Sequence, residues 1–409
     1  MIIGESQFNL KEEYFACLAL RFTPGLGPKS WARILNNYPS AYGALKDAAN
    51  WADLNLCSEN VAEAARSEVW RSSAEKEFKE VMRLRFGILP WTHPSFPPSL
   101  KEIADPPTYL YYYGDPSLLA NPGVAIVGSR KSSRLGLEYA QKISGELSAI
   151  GVTVISGFAR GIDACAHQEA LKGVGSSIAV LGTGLDIDDY PQNSGNLRRE
   201  LIENGLIVSE FSPGTKPYSG NFPFRNRIIS GLSLGVLVAE ADVKSGSLIT
   251  ARLAAEQGRE VMALPGPLGS SNFSGCLKLI KEGAALVETV DDVLISIGHS
   301  LDTNAQRKFM PVSDKKKPLS GLCSDKFSDK KNNSIKGSER AKFILNIDDL
   351  DPDEQEIVKT LDKEGKLHID EIARKSSVDV SLTGALLLGM EVKGIVVHFP
   401  GMYYDIKRC

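Results

Sequence analysis

The chain has 409 residues, of which 43% are apolar and 24% charged, and a net charge of −3. That length is a prior for two or three domains with a sizeable core, and the composition excludes wholesale disorder, collagen and coiled-coil classes. The apolar stretches are too short to span a bilayer, and the opening MIIGESQFNLKEEYF lacks a basic region followed by an apolar run; a cytoplasmic protein with no membrane association is expected. Six scattered cysteines without a CxxC pair and five histidines without ligand spacing point to incidental thiols, with no disulfide framework, metal or cofactor.

From Glu12 to Leu45 two apolar helical stretches flank TPGLGPKS, in which Gly25 and Gly27 bracket Leu26. The pattern is that of a helix-hairpin-helix within a helical segment 1–89. Such a hairpin either offers backbone N–H groups to a phosphate or is an ordinary turn between packed helices.

From Val124 onward short β-branched runs alternate with helical stretches. The runs are VAIVG, VTVIS, SIAVLG, LIVSE, LGVLVAEA, EVMALPG and a short ALVE. Such alternation indicates βαβ units, so the fold class is α/β, a doubly wound parallel sheet. Ligands of such sheets bind beyond the carboxyl ends of the strands, and the polar motifs fall there.

Three connections suit an anion. After VAIVG, Gly128, Ser129 and Arg130 form a turn into a helix; the GxGxxG pattern and ribose-binding carboxylate of a nicotinamide site are missing, whereas the Ser129 N–H and the Arg130 guanidinium suit phosphate. The stretch EFSPGTKPYSGNFPFRNRIISGLS brings Lys216, Phe222, Arg225, Asn226 and Arg227 into one connection ahead of a helix. Cations interleaved with an aromatic suit single-stranded nucleic acid, although Phe222 and Phe224 also fit a core, and Arg227 an ion pair with Glu240 or Asp242. Third, Lys244, Ser245, Gly246, Ser247 and Thr250 open a helix, with N-capping by Ser247 as the ligand-free reading. Asp163 and His167, one helical turn apart in GIDACAH, read as capping and core residues in the absence of a nucleophile.

Segment 299–347 carries 11 basic against 5 acidic residues and no sustained apolar periodicity, which makes it a flexible basic linker. Residues 348–409 read as three helices and a hairpin, a winged-helix-like domain. With 13 acidic against 8 basic residues, and no Arg or Lys in LTGALLLGM, this domain suits a protein-contact or accessory role better than duplex readout.

The ordered series VAIVGSRKSSRLG, SGFARGIDACAHQEAL, AVLGTGLDIDDYPQNSGNL, SEFSPGTKPYSGNFPFRNRIISGLS, VAEADVKSGSLITARLAAEQGREVMALPG and LIKEGA resembles the DNA-processing protein A (DprA, or Smf) family. One departure is Leu277, where the family pattern has Asn or His. The resemblance, strongest over 90–298, implies an extended Rossmann-like core without enzymatic turnover that binds single-stranded DNA irrespective of sequence, protects it and loads RecA recombinase onto it in natural transformation, with RecA and a second copy of the chain as partners. It carries DNA contacts onto Gly128, Ser129, Arg130, Lys216, Phe222, Arg225, Asn226 and Lys244 through Thr250.

Two other readings compete with this one. A nucleotide N-glycosidase resembling the cytokinin-activating, lysine-decarboxylase-like family needs a PGGxGTxxE glutamate, and Leu253 stands three residues after Thr250 instead. A duplex-DNA regulator acting through the winged helix is opposed by that segment's acidity.

Overall fold

A computed structural model describes residues 9–267, 269–305, 352–376, 378, 383, 386, 387, 390, 395–399 and 403–406. Two compact units divide the chain, Met1–Ser313 and Asp314–Cys409.

The first unit opens with helices α1 (Leu10–Phe22), α2 (Pro28–Asn37), α3 (Ala41–Lys46), α4 (Glu59–Arg66) and α5 (Arg71–Leu84). Asn9 caps α1 by accepting the Lys11 N–H at 3.2 Å, and Gly25, at φ +79°, makes the reversal into α2, which starts on Pro28.

The strands are β1 (Gly87–Pro90), β2 (Tyr109–Gly114), β3 (Gly123–Gly128), β4 (Thr153–Ser156), β5 (Ser177–Val180), β6 (Leu206–Ser209), β7 (Gly235–Glu240), β8 (Glu260–Ala263) and β9 (Ala285–Leu286). They form one sheet in the order β1-β2-β6-β5-β4-β3-β7-β8-β9. Pairing is parallel from β6 to β9, while β1 and β2 add an antiparallel edge. The sequence pattern does not announce that edge, and β1 runs across the expected boundary at 89/90.

Helices α6 (Pro98–Lys101), α7 (Arg134–Ala149), α8 (Ile162–Ala170), α9 (Gly195–Asn204), α10 (Asn221–Gly231), α11 (Ser247–Glu256), α12 (Ser274–Lys281) and α13 (Val290–Ala305) connect and flank the strands. Alternation along each central strand divides its side chains between two cores. Val124 and Ile126 of β3 pack with Ala140, Ile143, Ala166 and Val293 from α7, α8 and α13. Ala125 and Val127 join a larger cluster with Ile228, Ile229 and Ala251 from α10 and α11, continuous with Tyr14, Leu18 and Trp51 of the N-terminal helices. Helix α13 continues past the expected boundary at 298/299, and residues 306–347 of the expected linker lie outside the described residues.

The second unit contains α14 (Pro352–Glu364), α15 (Ile369–Ser376) and strands β10 (Leu367–His368), β11 (Val396–Phe399) and β12 (Tyr403–Ile406) in the order β10-β12-β11. Its core includes Ile357, Leu361, Ile372 and Leu387. The expected third helix after Val380 falls mostly outside the described residues.

Candidate nucleic-acid interface

The strand order turns at β3, with β4 on one side and β7 on the other, and loops leaving the carboxyl ends there frame a crevice. Gly128 closes β3 at a register shift against β7, and a Cβ on it would come within 3 Å of Ile162 Cβ. The next turn differs from expectation. The Ser129 N–H donates to the Glu240 carbonyl at 2.8 Å, so that amide is not open to a phosphate. The start of α7 is also occupied, because the buried Glu240 carboxylate accepts the Ser133 N–H at 3.0 Å and the Ser133 hydroxyl at 2.6 Å. A carboxylate of the chain itself fills that helix N-terminus. The exposed Arg130 side chain is what this turn presents to solvent.

A cavity of about 550 Å³ opens above these strands, and Gly128, Ser129, Arg130, Phe222, Arg225, Asn226, Ser245, Gly246, Ser247 and Thr250 all line it. Phe222, Arg225 and Asn226 come from inside α10 rather than from a connection ahead of it. Pro223 suggests a loop in the sequence, but a proline in the first turn removes an N–H that has no helical partner. The Arg130 guanidinium carbon lies 5.3 Å from the Phe222 ring centroid, a cation–π distance. Phe222 in turn stacks on Tyr190 at 5.4 Å and 28°.

Arg225 is only 4% exposed. Its Nη1 donates to Gly157 O at 2.8 Å and to Val180 O, tying together the ends of β4 and β5. Burial draws its pKa down to about 10, opposed by Asp163 and reinforced by Arg130. Asp163 accepts the Gly157 and Ala159 N–H groups at 3.1 and 3.3 Å, and burial raises its pKa against the pull of Arg225. His167, fully buried, shares a 2.7 Å hydrogen bond with Ser177. His167 is thus the core residue read from the sequence, whereas Asp163 fastens the loop ahead of α8 and does not cap that helix, whose cap position is Gly161 without a side-chain cap. Arg227 pairs with Glu210 at 2.6 Å and Asp105 at 3.1 Å; the expected partners Glu240 and Asp242 are engaged elsewhere.

At α11 the cap position is Gly246, with no side-chain cap. Ser247 does not cap the helix; its hydroxyl is 2.8 Å from that of Ser245. Lys216 and Lys244 are exposed beside the cavity and do not line it. Among the described residues Arg130, Lys216 and Lys244 pair with no carboxylate. The hairpin ahead of α2 has different surroundings. Gly27 to Ser30 face a separate cleft of about 810 Å³ with Glu102, Asp105 and Glu256, carboxylates that repel a phosphate, and Trp31 Nε1 donates to Pro106 O at 3.0 Å. Leu253, where the glycosidase reading needs a carboxylate, lines this second cleft.

The family described as DNA recombination-mediator protein A matches residues 87–298, and the DprA winged helix domain matches residues 345–402. The chain belongs to the DprA/Smf family. Protein Smf of Synechocystis sp. is 39% identical over 321 residues, covering 76% of this chain and 78% of that protein. The DNA processing protein DprA of Streptococcus pneumoniae is 46% identical over 199 residues, 49% of this chain and 70% of that one. The solved structure of the Streptococcus pneumoniae protein superimposes with a TM-score of 0.59 at 37% identity, over 69% of this chain and 97% of that chain.

Within the DprA/Smf core the cavity also has lining residues that sequence reasoning did not select, notably Tyr190, Pro217 and Ser219. Pro217 and Ser219 lie in the same connection as Lys216, so their sequence signal was present but chemically neutral. Tyr190 comes from the loop after β5, and its contact with Phe222 is visible only in three dimensions.

Proposed function

We propose that the cavity and its rim hold single-stranded DNA irrespective of base sequence. The observation that carries this reading is the Arg130 guanidinium, unpaired with any carboxylate among the described residues and held over the Phe222 ring at the mouth of the cavity. Charge there meets phosphate, and flat apolar faces meet unstacked bases. With the chain slightly negative overall, affinity comes from a focused site rather than a basic face. The residues assigned to contact are those carried over from the resemblance, with Arg225 shaping the wall and the Ser129 amide excluded.

As part of the same proposal, the protein is a cytoplasmic binding module without turnover. It acts as a homodimer through its core and passes protected strands to RecA recombinase during DNA uptake. The division into helical, core, linker and winged-helix parts belongs to it too, with the core widened from 90–298 to take in all of β1 and α13. The test is a single-strand titration of wild type and Arg130→Ala at two salt concentrations. The variant should weaken binding for all base sequences and flatten the log–log salt slope by about 0.7 for each phosphate that is no longer neutralised. Unchanged affinity and slope would refute the assignment, and preference for duplex at matched salt would favour the regulator.

A further inference from the structure

The loop between β6 and α10 has no regular structure, yet it is fastened at several points. Asp186 accepts the Gly214 N–H at 2.9 and 2.8 Å through its two oxygens. Gly184 N–H donates to Thr215 O at 3.0 Å, and Asn221 N–H to Tyr218 O at 3.0 Å. Asn221 Nδ2 reaches Gly182 O at 3.2 Å. The Asp186 and Gly184 bonds fix the loop to the connection that follows β5, and Asn221, at the start of α10, anchors its far end.

Residues along the fastened loop alternate. Pro217 and Ser219 line the cavity, whereas Lys216 and Tyr218 do not. Tyr218 is 69% exposed, one of the most solvent-accessible large apolar side chains among the described residues. Its ring is supported on one side, since a Cβ on Gly220 would lie 2.8 Å from Tyr218 Cε1. An aromatic ring backed by a glycine, open to solvent and two residues from an unpaired lysine has the make-up of a stacking platform.

We infer that Tyr218 is a base-stacking residue on a second stretch of the strand's path, outside the cavity, with Lys216 taking the neighbouring phosphate and Asp186 positioning both. The ligand is an unpaired nucleobase of a strand long enough to leave the cavity and cross this loop. The inference rests on the proposed single-strand function. It adds to it that the bound strand is longer than the cavity and is gripped at its exit by an uncharged contact.

The test compares Tyr218→Ala, Tyr218→Phe, Lys216→Ala, Asp186→Ala and the Asp186→Ala/Lys216→Ala double variant with wild type, using a short oligonucleotide sized to the cavity and a long one. Tyr218→Ala should lose roughly five- to hundredfold in affinity for the long strand, as expected for one stacked base. Its salt slope should be unchanged because no charge is removed, and short-strand affinity should hold. Tyr218→Phe should restore long-strand binding. Asp186→Ala should mimic Lys216→Ala on the long strand, and the two should be non-additive in the double variant. Wild-type long-strand affinity in Tyr218→Ala, with Arg130→Ala still impaired, overturns the inference and leaves the proposed function standing. If Arg130→Ala is also unimpaired, the proposed function fails.

Discussion

Gly136 stands against the Glu240 carboxylate so closely that a Cβ added at 136 would fall inside the van der Waals shell of Glu240 Oε2. That oxygen accepts the Ser133 hydroxyl and shares the Ser133 amide with Oε1, so the glycine leaves room for the carboxylate that seats the start of α7. Gly136→Ala should therefore push Glu240 off Ser133 and destabilise the protein by about 1–3 kcal/mol, the usual cost of overpacking. A lowered urea midpoint at unchanged m-value is the expected reading, and a wild-type midpoint would show that the contact yields freely.

Arg130 and Arg225 line one cavity and should behave differently when removed. Arg225→Ala strands the Gly157 and Val180 carbonyls and leaves Asp163 buried without its cation. Breaking a buried charged pairing costs about 3–5 kcal/mol, so DNA binding should fall together with stability. Arg130 is exposed, and Arg130→Ala should stay within about 0.5 kcal/mol of wild type while losing affinity. Chemical denaturation beside a binding titration separates the two, and equal stability losses would contradict this division of roles.

These cases show what could be read in the sequence. The seven parallel strands were legible because each is a short β-branched run ending in a turn, and the three anion-suited connections follow from the same grammar. The antiparallel strand Tyr109–Gly114 was not, because YLYYYG carries hydroxyls that look polar until α1 and α5 cover them. The beginning of α10 was hidden by Pro223, and the closure of the Ser129 amide by Glu240 joins residues more than a hundred positions apart. Local periodicity reports what a segment does alone. It does not report which donors the tertiary fold has already used.

The N-terminal helices are tied to β2 by a buried polar cluster. Glu77 accepts the Tyr109 hydroxyl at 2.8 Å and that of Tyr111, Tyr14 and Tyr111 share a 2.6 Å bond, and Arg21 donates to Glu210 O at 2.8 Å while standing 3.9 Å from Glu77. Glu77→Ala removes the common acceptor: Arg21 keeps the Glu210 carbonyl and Tyr111 keeps Tyr14, but the buried cation loses its carboxylate and the Tyr109 hydroxyl its acceptor, at a cost of about 3–5 kcal/mol. Hydrogen exchange should then show α1 and α5 losing protection before the central strands. Uniform loss across the unit would mean that the cluster adds nothing local.

His167 gives the fold a pH signature. Burial, with Arg225 adding to it, draws its pKa down to about 3, so the ring is neutral in the folded protein and titrates near 6.5 once unfolded. Below that value the unfolded chain takes up a proton that the native state refuses. The contribution is therefore complete above pH 6.5 and is lost as pH falls toward 3, by up to about 1.4 kcal/mol per pH unit. Asp163 acts in the opposite direction, because its pKa is raised by burial and the native state takes up the proton before the unfolded chain does as acid is added. Comparing wild type with His167→Asn, which leaves Asp163 in place and keeps a donor for Ser177, isolates the histidine. Urea unfolding at pH 7 and pH 5 should show wild type losing more stability than the variant on acidification. Equal losses would mean that the ring is protonated in the native protein or does not lie in the core.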